Sequence, residues 1–380
     1  VDPLRSAATV KLPTMAPGNL PVARPRLPSA DDILPYLRRI DEARWYSNFG
    51  PLLTELELRL ASRFTDGAVA ATVVNATQAL TLTLQAMDLP ASSLVATPSW
   101  TFVATAHAIA QAGLVPWFLD VDHASQMLDP ALVRDRLASA PGQVSAVLPV
   151  AAHGAMPDVE AWLAFRDETG LAVLLDAAAA FDAARDARLP TVVSLHATKV
   201  LGLGEGGFLV TDDAALAFRV RRMTTYGFNG TREAQIAGTN AKLSEYTAAV
   251  GLAALDKWPA DRLRFFLAAQ HTRIGLAMTP SVVLQPGWGS GWITSVCVVR
   301  LPEGAAQAAT ESLMAHGVET RRWWGHGCHR DAAFAGYPRT DLPVTEQLAC
   351  SVIGLPFAID LAREDVDRVV QALRAAPGIA

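Results

Sequence analysis

One lysine in this sequence keeps unusual company. Lys199 lies in SLHATKVLGLGEGG, residues 194–207, with Leu195, Ala197, Val200 and Leu201 as apolar or small neighbours. Polar Ser194, His196 and Thr198 are interleaved with them. A lysine is ordinarily a solvated surface charge, but an amine kept partly desolvated has a lowered pKa and becomes a usable nucleophile toward a carbonyl. Twenty-three positions upstream, Asp176 ends the apolar run LAVLLD and is followed by AAAAF. An aspartate there can cap a helix, or it can be a buried carboxylate facing a cationic ring nitrogen. Thr77 and Gln78 stand where a strand-like run gives way to a helical one, just behind small Ala76. A helix N-terminus with a hydroxyl beside it is a ready phosphate site. Trp100 and Phe102, in PSWTFVAT, are suited to stack on a flat ring or to pack in a core.

Such residues need a scaffold that brings strand ends together, and the hydrophobic pattern supplies one. Residues 1–30 carry many prolines and little periodicity, which predicts an extended arm. The helical pattern begins at Ala30, and PLLTELELRLASRF (51–64) spaces its apolar positions three and four apart. Then the chain alternates. VAATVVNAT, SLVATPS, VPWFLDVD, VSAVLPVAA and LAVLLDAA are strand-like, and helical stretches separate them, among them segments near 129–140 and 158–168. Continuous apolar strands joined by helices predict a mostly parallel sheet covered on both faces. In such a sheet ligands bind at the carboxyl ends of the strands, where Thr77, Ser99 to Phe102 and Asp176 all fall. After Asp213 the pattern turns helical through ALAFRVRRM and KLSEYTAAVGLAALDKW; from about 256 helices mix with strand-like WITSVCVVRL and a closing helix, EDVDRVVQALR. The expected organisation is an arm (1–30), a large α/β domain (31–255) and a smaller α+β C-terminal domain (256–380).

Bulk properties exclude several classes. A chain of 380 residues that is 51% hydrophobic and 18% charged has ample material for a buried core. A net charge of −5 with no basic block argues against a nucleic-acid partner. The three cysteines, Cys297, Cys328 and Cys350, are scattered and odd in number, which suits a reducing compartment. The opening VDPLRSAATVKLP lacks the apolar run of a signal peptide, and no run of apolar residues is long enough for a membrane span. The expectation is a cytoplasmic protein without a membrane partner.

Three motifs invite other chemistry. Gly202, Gly204 and Gly207 satisfy GxGxxG, but a dinucleotide clamp needs a helix opening at its glycines. Here strand-like FLVTDD follows. Asp120 and Asp122 form a DxD at a strand end, a pattern able to hold a divalent metal but suited equally to a turn. His326, Cys328 and His329 in WWGHGCHR lack a fourth ligand at zinc-like spacing, so no metal is expected.

Taken together, these residues resemble the DegT/DnrJ/EryC/StrS family of sugar aminotransferases that depend on pyridoxal 5′-phosphate (PLP). The stretch SLHATKVLGLGEGGFLVTDD resembles the family's Ser-Phe-His-x-x-Lys segment followed by Gly-Glu-Gly-Gly. NATQAL (75–80), TPSWTFVATAHAI (97–109), LLDAA (174–178) and AGTNAKLSEYTAAVGL (237–252) match in family order. The resemblance spans most of the chain, from residue 47 to the last helix. It implies the fold type I of PLP enzymes and a homodimer with composite active sites. It further implies that Lys199 bonds the cofactor covalently and that Asp176 pairs with the pyridinium nitrogen. Thr77, Gln78 and Ser194 then hold the phosphate, Asn240 reaches it from the partner subunit, and Phe102 stacks on the ring. One departure stands out. Family members usually place Gln or His three residues after the aspartate, near the cofactor's phenolic oxygen, where this chain has Ala179.

Within the family, GTNAKLSE and TRRWWGHGCH most resemble enzymes that aminate C4 of a 4-keto-6-deoxyhexose linked to a nucleotide, dTDP or GDP. Trp323, Trp324 and His329 then line the sugar side. The expected reaction takes its amino group from glutamate and serves deoxyaminosugar biosynthesis, for lipopolysaccharide or a glycosylated metabolite. Amination at C3 or another PLP reaction on a keto sugar nucleotide is the alternative. An NAD(P)-dependent oxidoreductase built on GxGxxG and a non-catalytic PLP-binding regulator are the rivals from other classes; the retained Lys199 disfavours the second.

Overall fold

The computed structural model describes residues 18–379, so residues 1–17 of the expected arm, including the stretch without a signal-like run, lie outside the described residues. From Leu20 the chain is pinned to its own C-terminal half through bridges of Leu20 to Val318 and Ala23 to Phe357. Helices α1 (Ala30–Ala43) and α2 (Pro51–Ala61) follow, then the alternation begins. It runs β1 (Val69–Val73), α3 (Ala76–Ala86), β2 (Leu94–Pro98), α4 (Val103–Gln111), β3 (Val115–Leu119), α5 (Pro130–Leu137) and β4 (Val144–Val147). Helix α6 (Val159–Thr169), short strands β5 (Ala172–Val173) and β6 (Leu175–Asp176), then β7 (Thr191–Ser194), β8 (Gly207–Thr211) and α7 (Ala214–Met223) complete it.

Local chemistry sets the helix starts. Asn75, Asp129, Asp158 and Asp213 each accept backbone N–H groups at the heads of α3, α5, α6 and α7, as short polar side chains do at N-caps. Helix α2 borrows its cap from far along the chain. The buried carboxylate of Glu245 accepts from Leu52 N at 2.8 Å and Leu53 N at 3.0 Å.

Strands β3, β2, β4 and β5 pair in that order and are all parallel. Strands β1, β8, β7 and β6 form a second ladder, in which β8 runs antiparallel to both neighbours. The ladders meet where Val150 bridges Asp176, with Asp176 N bonding Pro149 O at 2.9 Å and Ala151 N bonding Asp176 O at 2.8 Å. The result is one mostly parallel sheet with helices packed on it, the architecture of a fold type I PLP enzyme. Its parallel strands deliver their carboxyl ends to one edge.

Helix α8 (Glu245–Leu276) is 32 residues long and runs through Pro259 without interruption. The expected boundary at 255/256 therefore falls inside a helix. Up to Trp258 its buried residues join the core that also holds α2 and Phe208, and from Ala268 they join the C-terminal core around Cys297, Leu355 and Leu373. Beyond it come β9 (Val283–Leu284), β10 (Cys297–Arg300), α9 (Ala306–Ala315), α10 (Pro343–Ser351), β11 (Val352–Leu355) and α11 (Arg363–Arg374), with β10 central in an antiparallel sheet of three strands. Among the described residues, no helix is long and apolar enough to cross a membrane.

Candidate functional site

The β7–β8 connection folds back as a tight hairpin extension, with Leu195 N bonded to Gly206 O at 2.9 Å and Ala197 N to Gly204 O at 2.8 Å. Lys199 sits at its turn, held by its own N–H to His196 O at 2.9 Å. The side chain keeps some exposed area while its amine lies deep in the protein. Burial lowers the amine's pKa, and the charge of Asp176 offsets part of that effect. Beside it lies a small pocket lined by Lys199, Ser295, Arg24, Arg26 and Phe357 among others.

Asp176 ends β6 on the same edge. Its Oδ2 accepts from Thr105 Oγ1 at 2.8 Å and its Oδ1 from Ala178 N at 3.0 Å. Thr105 spends its proton on the carboxylate, so its 2.9 Å contact with Thr101 Oγ1 has Thr101 as donor. Burial raises the carboxyl's pKa, while Thr105, Ala178 and the positive charge of Lys199 pull it back. Asp176 is thus no helix cap. It is an enclosed carboxylate, aimed by a threonine on α4.

A third component assembles around Gly207. In the ladder Gly207 pairs with Val73 on one side and Ser194 on the other. A Cβ on Gly207 would lie 2.5 Å from Ala76 N and 2.7 Å from Ala76 Cα, so only glycine lets the head of α3 approach the sheet this closely. Asn75 Oδ1 occupies the N–H of Gln78 at 2.8 Å, while the other N–H groups of the first turn have no acceptor within the helix. Thr77 and Ser194 flank this opening. Gln78 does not turn its side chain there: its Nε2 donates to Gln111 Oε1 at 3.3 Å, in a groove between α3 and α4. Asn240 is exposed, and its Oδ1 accepts from Lys242. Its neighbour Ala241 accepts from Val74 N at 2.8 Å, which keeps this segment near the head of α3.

The aromatic residues divide. Phe102 stands at the N-cap of α4, 57% exposed, at the mouth of the site. Trp100 is buried, bonds Gln126 through Nε1 at 3.1 Å and meets Trp324 edge to face at 5.5 Å. Trp324 in turn lies flat on His153, with ring centroids 3.8 Å apart. Trp323 faces the other way, under the guanidinium of Arg321 and against Gly354. His329, expected to line a sugar pocket, is buried as a tether. Its Nδ1 lies 2.7 Å from Ser99 Oγ, and its backbone N–H donates to that same oxygen at 3.2 Å. With the Cys328 N to Ser99 O bond of 2.9 Å, this fastens the segment bearing Trp324 to the end of β2.

The competing motifs have other tasks. The three glycines of GxGxxG lead into strand β8 and open no helix. Asp120 caps α10, accepting from Val344 N and Thr345 N at 2.8 Å each and from Thr345 Oγ1 at 2.7 Å. Asp122 closes a turn through Ala124 N and Ser125 N. Among the described residues there is no cluster of three or more His, Cys, Asp or Glu able to hold a metal.

Residue patterns alone pass over two members of this edge. Thr105 reads as one more small residue in an apolar helix. His153 is a lone histidine in VAAHGAM, although its place just after a parallel strand was a usable signal.

Comparison with known proteins fits this geometry. The profile of the DegT/DnrJ/EryC1/StrS aminotransferase family matches residues 29–374. The erythromycin biosynthesis sensory transduction protein EryC1 of Saccharopolyspora erythraea is 34% identical over 359 residues, covering 90% of this chain and 95% of its own length. Among solved structures, DesI in the presence of its TDP-sugar product is similar with a TM-score of 0.84 at 34% identity, over 94% of this chain and 92% of its own. S. venezuelae DesV in complex with a ketimine intermediate gives 0.82 at 28% identity, over 92% of this chain and 98% of its own.

Proposed function

Since the chain belongs to the DegT/DnrJ/EryC1/StrS aminotransferase family and is a transaminase that uses PLP, we propose that it converts a nucleotide-linked 4-keto-6-deoxyhexose to the 4-amino sugar, with glutamate as amino donor. The nucleotide is dTDP or GDP, and the TDP-sugar product named for DesI favours the first. The product then enters deoxyaminosugar biosynthesis for a glycosylated metabolite, a setting that the name of EryC1 supports.

The residues present fit the cofactor. Its cationic ring nitrogen answers a carboxylate that burial otherwise pushes toward neutrality, and its aldehyde answers an amine pushed the same way. Its phosphate answers the helix head and hydroxyls around Gly207. When bound, the cofactor supplies a ring that accepts the electrons left on a deprotonated carbon.

This chain's residues do the rest. Lys199 Nζ, which burial pushes toward its neutral form, takes the proton from the α-carbon of glutamate as general base and delivers one to C4 of the sugar as general acid. Asp176, held by Thr105 and Ala178, keeps a proton on the ring nitrogen. Thr77, Ser194 and the first-turn N–H groups of α3 bind the phosphate, and Asn240 of a second copy completes that pocket in a homodimer. Phe102 covers the ring face, and Trp324 borders the sugar side. The observation that carries this reading is the enclosed Lys199 and Asp176 on the same sheet edge as the open N-terminus of α3.

The test is incubation of purified protein with glutamate and each 4-keto-6-deoxyhexose nucleotide, with product regiochemistry read by NMR. An amine at C4 is expected. Turnover by Lys199→Ala, or a purified protein with no absorption band from lysine-bound cofactor, defeats the reading; an amine at C3 relocates it.

A further inference from the structure

The turn after β4 carries a side chain that none of these steps uses. His153 is 4% exposed, adopts φ of +54°, and lies flat on Trp324 with ring planes 18° apart. Its Nε2 is buried without a hydrogen-bond partner. One residue on, a Cβ at Gly154 would lie 3.0 Å from both Thr294 Oγ1 and Ala179 O. Thr294 Oγ1 is itself a second buried polar atom without a partner. A non-glycine residue at positive φ is uncommon, histidine being among the types that adopt it most readily, and an unmade hydrogen bond in a buried site is costly. Two such orphans, one on His153 and one against the adjoining Gly154, point to a ligand that supplies what the protein lacks.

Sheet order indicates which part of a ligand that is. The helix head after β1 and Ser194 at the end of β7 lie on one side of Asp176. Segment 149–151 lies on the other, joined to Asp176 by the Val150 bridge, and His153 follows it. PLP carries its phosphate arm at C5 and its phenolic oxygen at C3, on opposite flanks of the line from N1 to C4. With N1 at Asp176, C4 toward Lys199 and the arm toward β7 and β1, the phenolic oxygen faces residues 149–154. We infer that His153 Nε2 donates a hydrogen bond to the cofactor's phenolic oxygen.

The inference rests on the placement of PLP between Lys199 and Asp176. The protonation state suits it: burial, then the charge of Lys199, pushes His153 down to about 3, so the imidazole is a neutral donor at working pH. Ala179 presents only a methyl group and its carbonyl on this flank, so position 179 supplies no side-chain donor.

Titration of the apo-protein with PLP, followed by absorption at fixed pH, tests this in wild type, His153→Phe, His153→Asn and His153→Gln. Phenylalanine keeps a flat ring against Trp324, and asparagine tolerates the positive φ while falling short of the ligand. Both are expected to bind PLP about tenfold more weakly, the value of one hydrogen bond near 1.4 kcal/mol, and to move the absorption maximum. Glutamine is expected to recover most of the affinity and the wild-type maximum. Thermal melts identify a variant that fails to fold, and asparagine then carries the test in place of phenylalanine. A folded Phe or Asn variant with unchanged affinity and spectrum overturns the inference and leaves the role of Lys199 standing. So does a glutamine variant no better than phenylalanine. Wild-type protein whose bound PLP shows no Lys199-dependent band overturns the placement and the inference with it.

Discussion

Replacing Thr105 by valine removes one hydroxyl from the floor of the site with little change of shape. In the native protein that hydroxyl donates to Asp176 Oδ2 at 2.8 Å, and Ala178 N is the other donor the carboxylate has. A hydrogen bond to an ionised group is worth about 1.5–3 kcal/mol, and one pH unit corresponds to about 1.4 kcal/mol. The bond is made to the charged form, so its loss favours the protonated carboxyl and adds to the upward push of burial. In the proposed mechanism catalysis needs the carboxylate, which keeps the ring nitrogen protonated. The acidic limb of kcat/KM is therefore expected to move up by roughly 1–2 pH units. At a fixed pH below the limb, the rate is expected to fall about tenfold for every pH unit the limb moves. Thr105→Ser keeps the donor and is expected to leave the limb in place. The assay is a pH profile of kcat/KM for the three proteins, with a melt to establish folding. A folded valine variant whose acidic limb coincides with that of wild type refutes the reasoning, because Asp176 would then owe nothing to Thr105.

Other substitutions probe separate parts of the structure. Gly207→Ala places a methyl 2.5 Å from Ala76 N, and overpacking of this kind costs about 1–3 kcal/mol; PLP titration and a melt are expected to show weaker cofactor binding together with a lower Tm. Asp120→Ala strips the cap from α10 and is expected to cost about 1–2 kcal/mol in denaturant unfolding while the bound-cofactor spectrum stays the same. His153→Phe bears on acid stability. The unfolded imidazole takes up its proton near 6.5 and the folded one near 3, so between these values the unfolded state binds more protons and wild type loses stability as pH falls. The loss is about 1.4 kcal/mol per pH unit, and unfolding curves at successive pH values are expected to show the variant free of it.

Strand after strand was legible in the sequence because the sheet is covered on both faces. LVATP is buried at every position and VAATV at every position but its first, which is what a continuous apolar run encodes, whereas β7, TVVS, was not read from the sequence although it too is buried throughout. The helix near 158–168 was legible from its pattern, with Asp158 as its cap, whereas Asn75 to Thr77 read as strand and prove to be the cap and first residues of α3. Helix α8 was harder to foresee, since Pro259 reads as a stop. Here the helix passes between two cores, and burial on either side outweighs one missing hydrogen bond. At the site, residues at strand ends were accessible to inference because a parallel sheet sends those ends to one edge. Thr105 was not, since its role depends on α4 lying over the end of β6, a contact between residues 71 positions apart. WWGHGCHR shows the same limit. Its chemistry could be seen, but only packing assigns Trp324 to His153, Trp323 to Arg321 and His329 to Ser99.

Burial acts on Lys199 and Asp176 in opposite senses and to the same end, since each is driven toward its uncharged form and their mutual attraction offsets only part of the cost. A buried pair of this kind is weak evidence for stability. The pair is held in place by what surrounds it, the fully buried Val192 and Val193 of β7 with Leu195 just beyond, and the threonine on α4. The orphaned polar atoms of His153 and Thr294 add to the same local deficit. A ligand that brings a cationic nitrogen to the carboxylate, a carbonyl carbon to the amine and an oxygen to the imidazole relieves all of these at once. A ligand that binds only the folded state stabilises that state by mass action. The features that make this edge expensive for the empty protein are therefore the ones that the proposed cofactor placement uses, and burial drives Asp176 up and Lys199 and His153 down at the same strand ends.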